Sequence, residues 1–396
     1  MGSYSELYIS DYPIFSSKNS YYENVVSMIF LKADFQEFER PLNGRNRIKW
    51  GNAFIDEKEI ERVKSFSSTV KICKDRLELF GASYEKAKKD FDTAIKQIRE
   101  DGIYEFASDS NLSYELYLST IKSIIESKEK NYGNDIYSTF NGYLNENELF
   151  IENQSFQLGL WSILSVVDPT GKVEYDLTDI IDGGWIDSNP EESINIEKII
   201  VLTEGKTDSE FLKSGLELFY PHLKDYYHFM DFESSRYEAN ASRLVHTIKS
   251  FVGSGIKNLI IALFDNDTAA MKEIKNLKEV KLPPNIKVLQ YPNIHWAKDY
   301  PTIGPTGIQS MDINGLAGSI EMYLGLDCIK ENNEYIPIQW TGYVETLDKY
   351  QGVILKKDDI QSRFRKKVKE FNHKKVELEN WTELLSIIDL MNSLWK

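Results

Sequence analysis

The sequence predicts an α+β protein, with an N-terminal all-α helical domain followed by an α/β domain built on a parallel sheet. Three observations carry this expectation. Apolar residues recur at spacings of three and four between residues 60 and 125. Turn chemistry concentrates between residues 166 and 193. From residue 194 onward, short apolar runs alternate with amphipathic stretches, the grammar of strand–helix units in a parallel sheet. The expected organisation is a helical domain with its linker over 1–190, an α/β domain over 194–330 and a helical extension over 331–396.

In the first half, Tyr22 to Arg40 reads as a helix closed by Pro41, and Asn43-Gly44 reads as a turn. Ile60, Val63, Phe66, Val70, Cys73, Leu77 and Phe80 form one stripe within an expected helix from Asp56 to Phe80, with Gly81 at its C-terminal cap. Ser83 can cap the next helix, whose stripe is Ala87, Phe91, Ala94 and Ile98, and Asp101-Gly102 ends it. Leu118, Ile121 and Ile125 mark a further helix. Short connections imply antiparallel neighbours and hence a bundle. Asp168-Pro169, Gly183-Gly184 and Asn189-Pro190 suggest a solvated linker, and its acids Asp176, Asp179, Asp182 and Asp187 lack calcium-loop spacing.

In the second half, strands are expected at 199–202, 226–232, 259–264 and 286–290, with helices at 208–220, 242–252, 271–280 and from Ser319. The run Leu259 to Phe264 is continuously apolar, as a strand buried on both faces should be.

The chain has 396 residues, with 47 Lys and Arg against 62 Asp and Glu, a formal net charge of −15. That balance argues against a polybasic binder, although bound divalent cations and a local basic patch can offset it. Two cysteines without a CxxC exclude a disulfide framework and a cysteine-built zinc site, and fit the cytoplasm. No stretch reaches the ~18 apolar residues of a membrane span.

Active residues of open α/β sheets lie beyond the carboxyl ends of the strands. The first expected strand ends at Glu204-Gly205 and the third at Asp265-Asn266-Asp267. In an extended segment Asp265 and Asp267 project to the same side, and Glu204 converges on them if the two strands are neighbours. Such carboxylates repel one another unless a divalent cation neutralises them, and an oxygen-only donor set selects Mg²⁺ or Mn²⁺. Single acids also follow strands because loops are polar, so the argument rests on the joint pattern. Two rival motifs fail. Gly205-Lys206-Thr207 lacks the upstream glycine of a P-loop, because Ile200 stands there. Asp265-Asn266-Asp267-Thr268 lacks the threonine of a haloacid-dehalogenase-type phosphatase, because position 269 is alanine.

Val201-Leu202-Thr203-Glu204-Gly205-Lys206-Thr207-Asp208, followed by Ala262-Leu263-Phe264-Asp265-Asn266-Asp267, resembles a Toprim domain, found in topoisomerases, primases and the nucleases of the overcoming-lysogenization-defect family. The opening Met1-Gly2-Ser3-Tyr4, with Tyr8 and Asp11-Tyr12-Pro13, resembles the HEPN/Toprim-associated proteins of bacteria, which are linked to phage defence. The resemblance implies that Glu204, Asp265 and Asp267 bind metal, with Glu321 as an additional acidic position. It also implies a metal-dependent nuclease acting on RNA or DNA in antiphage defence. Expected partners are a nucleic acid, a second copy of the chain through the helical half, and a defence-system component. The arginine-then-histidine spacing of many HEPN ribonucleases is missing, since none of His222, His228, His246, His295 and His373 lies in the first 165 residues. The helical half is therefore expected to dimerise, sense or dock rather than cut RNA. A non-catalytic sensor that binds metal or nucleotide is the alternative. A strand-passing or primer-making enzyme is disfavoured, because no tyrosine-bearing or zinc-binding module accompanies the motif.

Two further segments are candidates. The loop Tyr291 to Pro301 places Lys298 to contact a phosphate, Trp296 to stack a base and His295 to move a proton. Lys356 to Lys375, with Arg363, Arg365, Lys366, Lys367 and Lys369 around Phe364 and Phe371, reads as a phosphate track or a solvated helix. The loop with Arg45, Arg47 and Lys49 is a second cationic candidate.

Overall fold

The computed structural model describes residues 2–41, 60–128, 137–230, 240–371 and 377–396, so Asn43-Gly44, Arg45, Arg47, Lys49, His373, Lys374 and Lys375 lie outside the described residues. The chain divides into two compact units, residues 1–196 with 395–396, and residues 197–394. Among the described residues no helix is long and apolar enough to cross a membrane.

The N-terminal unit corrects the all-α expectation. It opens with a hairpin, β1 (Tyr4–Ile9) and β2 (Tyr12–Lys18), followed by a short helix α1 (Glu23–Ile29) and by β3 (Phe35–Pro41) and β4 (Ile60–Thr69). The helices α2 (Val70–Leu79), α3 (Tyr84–Asp101), α4 (Tyr114–Ser127), α5 (Phe140–Glu146) and α6 (Phe156–Ser165) follow, then β5 (Lys172–Asp176) and α7 (Thr178–Asp182). The strands form one sheet in the order β2-β1-β5-β4-β3, with antiparallel pairing throughout.

The reasons for the correction are local. The β1–β2 turn uses Ser10 and Asp11 at positive φ (50° and 66°), a two-residue hairpin turn without the glycine that would advertise it. Ile60, Val63 and Phe66 match a helical stripe by spacing, but β4 continues as a strand until Thr69 caps α2 by accepting from the Ile72 amide. The stretch expected to be a linker carries the central strand. Val173 and Tyr175 of β5 are fully buried in the core, whereas Lys172, Glu174 and Asp176 face the other side. There Arg40 binds Glu61 at 2.5 Å, Glu174 at 2.7 Å and Asp176 at 2.9 Å. The helices pack on the opposite face of the sheet, where Phe91, Tyr114, Tyr117, Ile121 and Tyr143 join Leu7, Phe66 and Tyr175 in one core. Ser83 accepts from the Lys86 amide and Gly102 (φ 64°) terminates α3 in the left-handed region.

The second unit contains β6 (Ile199–Leu202), α8 (Lys206–Phe219), β7 (Tyr227–Phe229), α9 (Ala241–Ser254), β8 (Ile260–Phe264), the two-residue β9 (Asn266–Asp267), α10 (Thr268–Lys275) and β10 (Ile286–Gln290). Strands β10-β8-β6-β7 form a parallel sheet in that order. Every residue of β8 is buried, as its unbroken apolar run requires.

A second sheet follows, from β11 (Tyr300–Gly304), β12 (Gly307–Met311), β13 (Ala317–Gly318, paired with β9), α11 (Leu326–Ile329), the short hairpin β14 (Lys330–Glu331) and β15 (Glu334–Tyr335), β16 (Ile338–Val344) and β17 (Lys349–Ile354). Its order is β12-β11-β16-β17. Residues 331–396 thus hold a hairpin as well as the helices α12 (Lys357–Lys369) and α13 (Thr382–Ser393). Ser319 opens a 3-10 turn, Ile320–Tyr323, in place of the expected helix.

Candidate metal and active site

Strands β6 and β8 are neighbours, and the chain leaves them in opposite directions along the sheet, β6 toward β7 and β8 toward β10. Their carboxyl ends therefore border the crevice where the strand order reverses. Glu204 follows β6 and Asp265 follows β8. The Asp265 backbone amide donates to Glu204 Oε1 at 2.9 Å, which brings the two loops together.

Burial pushes the Glu204 carboxyl up to about 8 against the pull of that amide, and the charges of Asp267, Asp208 and Glu273 raise it further. Asp265 is driven well above its ordinary value, first by burial and then by Asp208, Glu204 and Asp267. Its Oδ1 is shut off from solvent and has no hydrogen-bond partner among the described residues. Asp267 is already engaged. Its Oδ1 caps α10 by accepting from the Ala270 amide at 2.8 Å, and its Oδ2 accepts from Gln351 Nε2 at 2.8 Å. Among the described residues, no three Asp, Glu, His or Cys side chains stand as a ready-made ion-binding group.

Asp208 is the member that the sequence reading assigned only to helix capping. It lies one turn into α8, 5% exposed, and its Oδ1 accepts from the Tyr291 hydroxyl at 2.5 Å. Burial raises its carboxyl to about 6, the Tyr291 bond opposes this and Glu321 adds to it. The helix starts at Lys206 with Gly205 at its N-cap and no side-chain cap, so Thr207 lies inside the helix. A Cβ on Gly205 would stand 2.8 Å from Asp208 Oδ2, so only glycine leaves that carboxylate its place.

Glu321 is 2% exposed and accepts from Ser319 Oγ at 2.6 Å and Gln361 Nε2 at 2.8 Å, with Lys357 Nζ at 3.3 Å. Burial raises its carboxyl, but Lys357 and those bonds outweigh it and leave it below its ordinary value. Lys357 also lowers Asp208 and Asp265, so it is the cation that acts on this set of acids. No local motif announces it, because it lies in the first turn of α12, far along the chain.

The other expected residues are elsewhere. Lys298 is exposed at the end of a 3-10 turn, and no hydrogen bond or ion pair joins it to the carboxylates. Trp296 donates to Glu383 at 2.8 Å and stacks on Tyr335, an internal role. His295 is exposed. The cationic helix is largely a staple. Arg363 binds the carbonyls of Cys328 and Lys330, and Arg365 binds Glu210 through two bonds at 2.6 and 2.8 Å. Lys367 reaches Leu324, Asp327 and Asn380 and lies 4.3 Å from the Trp381 ring.

The donor set suits a hard divalent cation. Four acids, Glu204, Asp208, Asp265 and Asp267, raise one another or are raised in common, no soft ligand joins them, and a buried Asp265 oxygen lacks a partner. The HEPN/Toprim N-terminal domain 1 family model matches residues 1–199. No curated protein and no solved structure matches the chain. With half of its length matched, the chain belongs to the HEPN/Toprim N-terminal domain 1 family.

Proposed function

We propose that the protein is a metal-dependent nuclease whose second unit is Toprim-like and hydrolyses phosphodiester bonds of RNA or DNA. The observation that carries this reading is the unpartnered, buried Asp265 Oδ1 among acids held above their ordinary values at a sheet switch point. Glu204, Asp265 and Asp267 would hold Mg²⁺ or Mn²⁺, with Asp208 beside them and Glu321 at the edge of the set. An ion bound there would activate water and offset the charge of a phosphate in hydrolysis. Glu204, raised to about 8, suits a group that takes a proton from water near neutral pH. Tyr291 holds Asp208 in place, and Lys357 limits the mutual repulsion of the acids. The family name suits a protein that acts on nucleic acid. A role in bacterial antiphage defence, and a defence-system partner, rest on the family resemblance.

The test is a panel of labelled single- and double-stranded RNA and DNA incubated with Mg²⁺, Mn²⁺ or EDTA. Cleavage that requires the ion and vanishes in Asp265→Ala supports the reading. Cleavage in EDTA, or undiminished cleavage by Asp265→Ala, places the chemistry elsewhere.

A further inference from the structure

The sheet β12-β11-β16-β17 has one closed edge and one open edge. At β17 the Gly352 amide donates to the Leu316 carbonyl, and Thr268 Oγ1 donates to the Tyr350 carbonyl. At β12 no such cover exists among the described residues. Gly307 to Ser310 are exposed, Ile308 to 73%.

The register fixes which groups face outward. Pro301 has no N–H and stands opposite Ser310, so that pair is not hydrogen-bonded across the hairpin. The amide and carbonyl of Ser310 therefore turn away from β11, and by the two-residue alternation so do those of Ile308. No backbone bond is made to them. An uncharged strand with a free edge is a template for another strand.

We propose that β12 is the seam of a homodimer, paired antiparallel with β12 of a second copy about a two-fold axis through Gln309. This register sets Ile308 opposite Ser310 of the other copy and Ser310 opposite Ile308, and it satisfies all four outward amides and carbonyls of each pair. The charge distribution selects a second copy as the occupant. Two chains of −15 repel, yet Tyr300 to Met311 contains no charged residue, so this edge is where two copies approach at least cost. Pairing also buries Ile308. The result is a continuous sheet of eight strands with the two β17 strands about 34 Å apart at ~4.8 Å per spacing, so each copy keeps its own carboxylate set. The proposal does not depend on the chemistry of that set, and its test reads oligomeric state rather than activity.

Sedimentation of the full chain across a wide concentration range should show a monomer–dimer equilibrium. Ser310→Pro removes an outward donor and Ile308→Lys puts charge on the edge, so each should weaken association by about tenfold or more. Their melting temperatures show that the fold is kept. Gln309→Cys should form an intermolecular disulfide with oxidised glutathione, because the two Cβ atoms would face each other across a non-hydrogen-bonded pair, and the native Cys73 and Cys328 are buried. A monomer at every concentration, a dimer that survives both edge variants, or a dimeric Gln309→Cys that does not cross-link would overturn the proposal.

Discussion

The backbone amide of Asp265 donates to Glu204 Oε1 across 2.9 Å, so the loop leaving β8 is fastened to the loop leaving β6 by the very carboxylate expected to bind metal. An ion at this place would compete with that amide for Glu204 and with Gln351 for Asp267.

Removing a buried acid from this set should therefore stabilise the metal-free protein. Asp265→Asn keeps the shape and deletes a charge that burial and Asp208, Glu204 and Asp267 all disfavour. In EDTA its unfolding free energy should hold or rise, by about 1 kcal/mol. Chemical denaturation checks this, and a loss of stability would mark Asp265 as a structural residue.

The same acids set a pH dependence. Glu204 is raised to about 8 and Asp208 to about 6, so each holds its proton more tightly folded than unfolded. Their contribution is fully present below the ordinary carboxylate values and is lost as pH rises through about 6 and then about 8. Stability in EDTA should fall over that interval, and Mg²⁺ affinity should rise with pH because the ion displaces those protons. Denaturation and calorimetric titration at several pH values would contradict the account if both were flat.

In the N-terminal unit, Arg40 joins three acids, one of them the fully buried Glu174. Arg40→Met should cost about 3 kcal/mol, because breaking a buried ion pair strands the partner charge. Adding Glu174→Gln should recover part of the loss. A change below about 0.5 kcal/mol in the single variant would show the cluster to be as weak as a surface pair.

Helix α12 offers an internal contrast. Lys367 makes three hydrogen bonds and lies on Trp381, whereas Lys366 is 73% exposed and has only Glu370 at 3.8 Å. Lys367→Met should lower stability by roughly 2 kcal/mol, and Lys366→Met by almost nothing. Equal effects in thermal melts would return the helix to a free cationic surface.

Legibility differed between the halves for physical reasons. The continuous apolar run of β8 and the acids behind it were readable, because a doubly buried strand and its rim leave a local signature. The β1–β2 hairpin was not, because Ser10 and Asp11 take positive φ without glycine. Nor was β4, whose Ile60, Val63 and Phe66 satisfy two periods at once. Asp208 was within reach, four residues after Glu204 and thus one turn into α8, but its cap-like position hid it. Lys357 and Gln351 were out of reach, since only tertiary structure carries them to residues some ninety positions earlier.

The account stands most directly on ion binding by the carboxylates. Mn²⁺ titration followed by electron paramagnetic resonance, on the full chain and on folded Asp265→Asn, measures it without any assumption about substrate. The account predicts saturable uptake by the native chain and at least about a tenfold weaker affinity in the variant, a loss of ~1.4 kcal/mol. Equal Mn²⁺ affinity in the two proteins would contradict it.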